Sequence, residues 1–265
     1  MEDRGILDIV SDTKQLVENI VRDSGLRSEF RDCIESFLFN TVMFDIASKI
    51  CCGRRISFNI DRYIPRIKRI LYKREYLEYL EEMCRYYSEV LRDKPRLIVD
   101  MGCGIGLNLL VSKRLSKEKT LLIGIDTNEC FLKIAEKIIP EAIFINADIT
   151  DDLLLNNSVD LMYCTLVLHE LPDLNVLSSF HRILRDNGKI IVLDITLDHV
   201  PASLLDIIRR IKIGLRLDPE TPYNRRQLLL EVLSRGFKVL REHYMKKIGF
   251  ICFTTLVLAK HIRKE

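Results

Sequence analysis

No apolar stretch in this 265-residue chain approaches the roughly 20 residues that a membrane-spanning helix requires. The longest, Ile248 to Ala259, is short and is interrupted by Thr254 and Thr255. The opening Met1-Glu2-Asp3-Arg4 lacks the basic-then-apolar order of a signal peptide, so a soluble, cytoplasmic protein is expected. There is no C-x-x-C pair. The eight cysteines (Cys33, Cys51, Cys52, Cys84, Cys103, Cys130, Cys164 and Cys252) are scattered, and adjacent Cys51-Cys52 is not a metal-ligand spacing, so no metal site is expected. Most of them are expected to act as small buried hydrophobes. A disulfide is the alternative, more so in a hyperthermophile. Glutamine occurs only as Gln15 and Gln227 beside abundant Ile, Lys, Arg and Glu, which leans toward a thermophilic origin. The net charge of +3 is too small to require a nucleic-acid partner by itself. What is plentiful is core material: 48% apolar against 30% charged residues excludes a disordered chain.

Residues 1–92 carry helical periodicity and no strand pattern. Ile6, Ile9, Val10, Leu16, Val17, Ile20 and Val21 recur at helical spacing, and Phe30, Ile34, Phe37, Leu38, Val42 and Ile46 line one face of a helix over 28–51 that ends near Gly53. A third long helix, capped by Asn59 or Asp61, is predicted to run to Arg92. From Arg96 the period changes. Short apolar runs at 97–99, 121–125, 142–145, 159–164 and 189–193 alternate with helical segments, the pattern of a parallel sheet with helices on both faces. After a helix near 224–234, runs at 237–244 and 250–259 are joined by Lys246-Lys247-Ile248-Gly249, a connection short enough only for antiparallel pairing.

The segment Leu97-Ile98-Val99-Asp100-Met101-Gly102-Cys103-Gly104-Ile105-Gly106 is the most informative. A buried strand delivers the backbone to a glycine turn that a ligand can approach closely, and the next helix presents its free N–H groups there. A dinucleotide loop would need its third glycine at 107, where Leu107 stands.

Asp100 to Gly106 resembles the D-x-G-x-G-x-G motif of class I S-adenosylmethionine-dependent methyltransferases. The similarity continues through Gly124-Ile125-Asp126, Asn146-Ala147-Asp148-Ile149, Leu166 to Asp173 and Arg182 to Lys189, and covers about residues 95–260. The small-molecule methyltransferases of quinone biosynthesis are the subgroup it resembles most. The resemblance implies an α/β, Rossmann-like, seven-stranded, mostly parallel sheet ending in an antiparallel hairpin. It implies a helical substrate-recognition or cap region over 1–92, a cofactor domain over 93–265, and a lid insertion over 196–224. The cofactor implied is S-adenosylmethionine: Asp126 accepts its ribose hydroxyls, Asp148 its adenine amino group, Thr127 and Ile149 flank the base. Asp100, with Gly102, Cys103, Gly104 and Gly106 of the turn, holds the amino-acid end, and Thr165 lies beside the methyl.

His169, in Thr165-Leu166-Val167-Leu168-His169-Glu170-Leu171-Pro172-Asp173, can take a proton near neutrality and is the candidate base. Positioning of substrate, and a purely structural role, are its alternatives. Glu170, Tyr63, Tyr72, Tyr76 and Tyr223 are candidate acceptor contacts. No Asn/Asp-Pro-Pro-Tyr/Phe clamp for planar amines follows the fourth strand, and Cys164 lacks the preceding proline of a nucleophilic cysteine, so it reads as core. Arg62, Arg66, Arg69 and Lys73, and again Arg209, Lys212 and Arg216, fall on one helix face each. They suit a solvated face or an anionic partner. Methyl transfer to a small acceptor, anionic or aromatic, at oxygen or carbon, is the leading expectation. An RNA or protein methyltransferase and a non-catalytic cofactor-binding module are the alternatives.

Overall fold

The computed structural model describes residues 3–53, 60–116, 119–198, 200–215, 221–248 and 251–260. In chain order they form α1 (Asp3–Arg22), α2 (Arg31–Cys51), α3 (Ile64–Tyr72), α4 (Arg74–Leu91), β1 (Leu97–Met101), α5 (Leu107–Leu115), β2 (Leu121–Asp126), α6 (Glu129–Ile138) and β3 (Ile143–Asn146). There follow β4 (Val159–Thr165), α7 (Val176–Ile183), β5 (Leu184–Leu197), α8 (Ala202–Gly214), β6 (Tyr223–Asn224), α9 (Arg225–Ser234), β7 (Phe237–Ile248) and β8 (Ile251–Lys260). They group into two compact units, residues 1–95 with 103–146 and residues 96–102 with 147–265.

In the first unit α2 is the central helix. Ile34, Leu38, Val42 and Ile46, the apolar face read in the sequence, are fully buried, and α2 packs on α1, α4, α5 and α6. The helical segment therefore shares its core with residues 103–146. β2 and β3 pair in parallel, Asp126 opposite Asn146. The long third helix is corrected to two. The chain is extended at Lys73 (φ −85°, ψ 110°), and α4 starts afresh with Tyr76 and Leu77 N–H groups on the Lys73 carbonyl. The charge order explains the break: Arg69 closes α3 and Glu75 opens α4, so each helix dipole meets the charge it favours. Asn59, one expected cap, lies outside the described residues.

The cysteine expectation is also corrected. Cys33 is bridged to Cys84 and Cys51 to Cys130, each pair with Cα atoms 5.8 Å apart. Apolar spacing carries no pairing information, so burial was legible and partnership was not. Cys103, Cys164 and Cys252 are the buried free thiols expected.

In the second unit β1, β4 and β5 run parallel, β8 pairs antiparallel with β5 and β7 antiparallel with β8. The expected hairpin is present, and the strands reach Ile248 and Ile251; Gly249 and Phe250 lie outside the described residues. An eighth strand, the two-residue β6, adds to the seven expected by pairing with β5 at Thr196 and Leu197. It is too short to leave a period in the sequence. Asn224 caps α9 by accepting from the Arg226 and Gln227 N–H groups. No described helix is long and apolar enough to cross a membrane.

The bridges close loops with sequence separations of 51 and 79 residues, so removing either by Cys→Ser at Cys84 or Cys130 is expected to cost about 2–4 kcal/mol. Urea unfolding with and without thiol reductant checks this: reductant is expected to lower the wild-type midpoint, and an unchanged midpoint would contradict the pairing.

Candidate active site

The glycine turn is built by the first unit from Cys103 onward. The Cys103 N–H donates to the Ile125 carbonyl (3.0 Å), which fastens the turn to β2. At the end of β2, Asp126 accepts from the Gly104 N–H through Oδ2 (2.7 Å) and from the Asn128 N–H through Oδ1 (2.8 Å). One carboxylate thus holds both the turn and the start of α6. Each of its oxygens has a second lone pair, and the group is only half-buried. Gly104 and Gly106 have φ of +53° and +85°, which L side chains rarely adopt. A Cβ on Gly104 would meet only the Phe44 ring, at 3.8 Å, so the turn has open space on that side. Phe44 of α2 also packs on Phe131 (centroids 5.4 Å), a flank that the sequence did not single out. Gly106 is the N-cap of α5 and offers no side-chain bond to its first amides, which leaves them to donate to an anionic or carboxylate ligand. Thr127 is exposed, and its carbonyl accepts from Asn146 Nδ2 (2.9 Å).

The second unit holds the other candidates. Asp100 is fully buried on β1, opposite Tyr163 of β4. Gly102 has φ +70°, and a Cβ there would come within 2.2 Å of Val167, so the β1 end and the loop after β4 touch at glycine distance. Asp148 is exposed and caps its own turn, accepting from the Thr150 N–H (2.8 Å) and hydroxyl (2.7 Å); Ile149 beside it is buried. Thr165 ends β4, half-buried. Leu166 follows in the left-handed region (φ 59°), its N–H on the Leu193 carbonyl (2.7 Å). A β-strand exit that forces a leucine there stores strain of the kind found at functional turns.

That turn delivers His169 to a partner the sequence reading missed. His169 is 5% exposed, with Nδ1 2.6 Å from Asp194 Oδ1, and its backbone N–H faces Asp194 Oδ2 at 3.3 Å. Asp194 is itself 2% exposed on β5. With Nδ1 protonated toward the carboxylate, Nε2 is left as the basic nitrogen, the tautomer a general base needs. The only sequence signal was an acid inside the apolar run Ile190 to Ile195. Glu170 is exposed. Cys164 is fully buried, and burial, with the Asp194 and Asp100 carboxylates, pushes its thiol well above the usual range, as core filling requires.

Two links tie β6 and its approach to this loop, and a third ties that approach to α8. The Thr221 N–H donates to the His169 carbonyl (2.8 Å), Tyr223 Oη to the Leu171 carbonyl (3.3 Å), and Arg209 Nη2 to the Thr221 carbonyl (2.8 Å). Arg209 is 4% exposed, its guanidinium 3.9 Å from the Tyr223 ring centroid. The solvated face expected for Arg209 is therefore corrected: the stacked tyrosine and the Thr221 carbonyl take it inside. Arg216, of the same expected face, lies outside the described residues. In the first unit, Tyr63 is buried and donates to Asp45, whose carboxyl burial alone would raise but the Lys49 and Tyr63 hydrogen bonds hold below the usual range. Tyr72 is 66% exposed, and Tyr76 sits 5.2 Å from the Lys73 ammonium. Among the described residues no His/Cys/Asp/Glu cluster could hold a metal ion.

Burial pushes the Tyr223 phenol up from 10.0 to about 12. The folded protein then keeps a proton that the unfolded chain has released, so stability falls as pH rises from about 10 to about 12. Tyr223→Phe removes this slope: the gap in unfolding free energy between wild type and variant is expected to narrow over that window, by on the order of 2–3 kcal/mol. Parallel curves would contradict a buried phenol.

Residues 99–192 match the family model described as "Methyltransferase domain". The chain is 37% identical over 82 residues to the trans-aconitate 2-methyltransferase of Acidovorax sp. (strain JS42), which covers 31% of this chain and 31% of that protein. It thus spans about a third of the length of the curated relative it matches. Among solved structures it is similar to geranyl diphosphate C-methyltransferase from Streptomyces coelicolor A3(2), in complex with Mg2+, geranyl-S-thiolodiphosphate and S-adenosyl-L-homocysteine, with TM-score 0.53 and 12% identity, covering 73% of this chain and 80% of that one. It is also similar to the [4+2]-cyclase SpnF, with TM-score 0.52 and 15% identity, covering 67% and 81%. At such identities the structures speak for the fold; the family model and the glycine-turn geometry speak for the domain. Over residues 99–192 the chain is similar to methyltransferase domains.

Proposed function

We propose that this chain transfers a methyl group from S-adenosylmethionine to a small-molecule acceptor, at oxygen or carbon. The observation that carries the reading is the Asp126 carboxylate, anchored to the glycine turn through one lone pair on each oxygen and keeping the others for a ribose diol. The uncapped amides at the start of α5 receive the ligand's amino-acid end; in the turn the Cys103, Gly104 and Gly106 amides are taken by the Ile125 carbonyl, the Asp126 carboxylate and the Cys103 carbonyl. Asp148 accepts from the adenine amino group, Thr127 and Ile149 are further candidates for the base, and Thr165 is the candidate for the methyl.

When bound, the sulfonium supplies an electrophilic methyl with a neutral thioether leaving group. What remains for the protein is to align the acceptor and exclude water. A hydroxyl acceptor arrives protonated. His169 Nε2 takes that proton, and the Asp194 carboxylate stabilises the charge that the ring gains. The segment over 196–224, strapped to the His169 loop by Thr221 and Tyr223, serves as the lid. The curated relative's name gives a carboxylic acid as its substrate, which supports a small acceptor here and makes trans-aconitate a first compound to try.

Calorimetric titration with S-adenosylhomocysteine tests the cofactor assignment. Asp126→Ala is expected to weaken binding by about 1.5–3 kcal/mol; wild-type affinity in that variant would remove the ribose assignment. In an acceptor screen, His169→Ala is expected to bind cofactor normally and to lose about 10²–10⁴ in kcat. Asp194→Asn is expected to lower kcat with KM little changed, because an amide no longer fixes the tautomer; equal turnover in all three proteins would exclude a base at His169.

One observation favours an alternative. Arg62, Arg66, Arg69 and Lys73 are all exposed along α3 and the turn before it, a basic face that suits RNA or an acidic protein. Filter binding of bulk tRNA over a salt titration separates the readings: the small-molecule reading expects no affinity at low salt.

A further inference from the structure

The second unit has a half-open cavity of about 300 Å³, walled by Pro172, Asp173, Leu174 and Asn175, by Asp206, Arg209 and Arg210 of α8, by Tyr223, and by Gln227, Glu231 and Arg235 of α9 and its end. Three arginines around one cavity face three acids, so the sign of the charge alone decides nothing. The hydrogen bonds do. Asp206 accepts from Arg209 Nη1 (3.0 Å) and Gln227 Nε2 (3.3 Å). Asp173 accepts from the Asn175 N–H (2.8 Å) and Nδ2 (2.9 Å), and Glu231 accepts from Arg235. The acids are engaged inside the wall.

The unspent capacity is on the donors. Arg210 is exposed and has no partner among the described residues. Arg209 Nε and Arg235 Nε are buried without one, although Arg235 Nη2 also reaches Asn175 Oδ1 at 3.4 Å. Guanidinium donors in a planar fork match a carboxylate, which takes two parallel hydrogen bonds. Burying Arg209 at 4% exposure is costly unless its position is used. Its bond to the Thr221 carbonyl runs on through the Thr221 N–H to the His169 carbonyl, so the cavity wall and the histidine loop are one hydrogen-bonded assembly.

We propose that this cavity holds a carboxylate of the methyl acceptor, with Arg210 and Arg235 as its direct ligands and Arg209 as the positioning residue of the wall. The acceptor is then a small molecule that carries a carboxylate, of a size that about 300 Å³ admits. The inference rests on the methyl-transfer reading and extends it to a substrate class.

Citrate, a tricarboxylate with no methylation chemistry required of it, is the probe. It is titrated calorimetrically into the protein saturated with S-adenosylhomocysteine. One-site binding is expected, weakened about tenfold or more in Arg210→Gln and again in Arg235→Gln, and unchanged in the surface control Arg62→Gln. Arg210 is exposed, so its variant folds, and its S-adenosylhomocysteine affinity confirms this. Failure of the two readings is distinguishable. Absent S-adenosylhomocysteine binding removes the methyltransferase reading. Normal S-adenosylhomocysteine binding with no affinity for citrate or succinate, or with the same citrate affinity in Arg210→Gln, overturns the carboxylate site alone.

Discussion

Asp126 sits at the end of β2 with an N–H of the glycine turn on one oxygen and an N–H of the α6 approach on the other. The turn it holds has left-handed backbone at Gly104 and Gly106, a conformation of high entropy when unfolded and few contacts when folded. Nothing about such a turn is stable by itself. The carboxylate, with the Cys103 to Ile125 bond, supplies the constraint, and the same carboxylate keeps lone pairs for a ligand. Loosening Asp126 therefore loosens the turn and the first amides of α5 together, and under the proposed function the nucleoside contact with them. Phe44 of α2 lies over the same turn, which explains why the N-terminal helices share a core with residues 103–146.

The chemistry in the second unit depends on a similar economy. β4 ends in a left-handed leucine, the chain folds back, and His169 is delivered to a carboxylate rising from β5. Both side chains are almost fully buried, so the pair is held by its own hydrogen bond rather than by solvent. The hydrogen bonds from Thr221 and Tyr223 give β6 and its approach a direct hold on this loop, and Arg209 fixes Thr221. Under the proposed function, substrate recognition and proton transfer are thereby linked through main-chain atoms.

Much of this was legible in the residues, for reasons that can be named. Buried parallel strands write themselves as unbroken apolar runs, so β1, β2 and β4 were found within a residue or two, and a four-residue connector left the β7–β8 hairpin no other geometry. The glycine turn declared itself because glycine adopts its positive φ values at least cost. Other features leave no local trace. The Lys73 break depends on charge order across two helices, and the cysteine pairs on which helices meet. Asp194 looked like one polar residue in a strand; its meaning lies in a histidine 25 positions earlier. Arg209 was read from helical spacing as part of a solvated face, whereas the Tyr223 ring, 14 positions later, takes it into the interior.

A crystal structure of the protein soaked with S-adenosylhomocysteine tests the central claim most directly. The account predicts both ribose hydroxyls within about 3 Å of the Asp126 carboxylate oxygens, with the glycine turn otherwise unmoved. A nucleoside bound elsewhere, or a turn that excludes it while Asp126 keeps only its two backbone bonds, would contradict it.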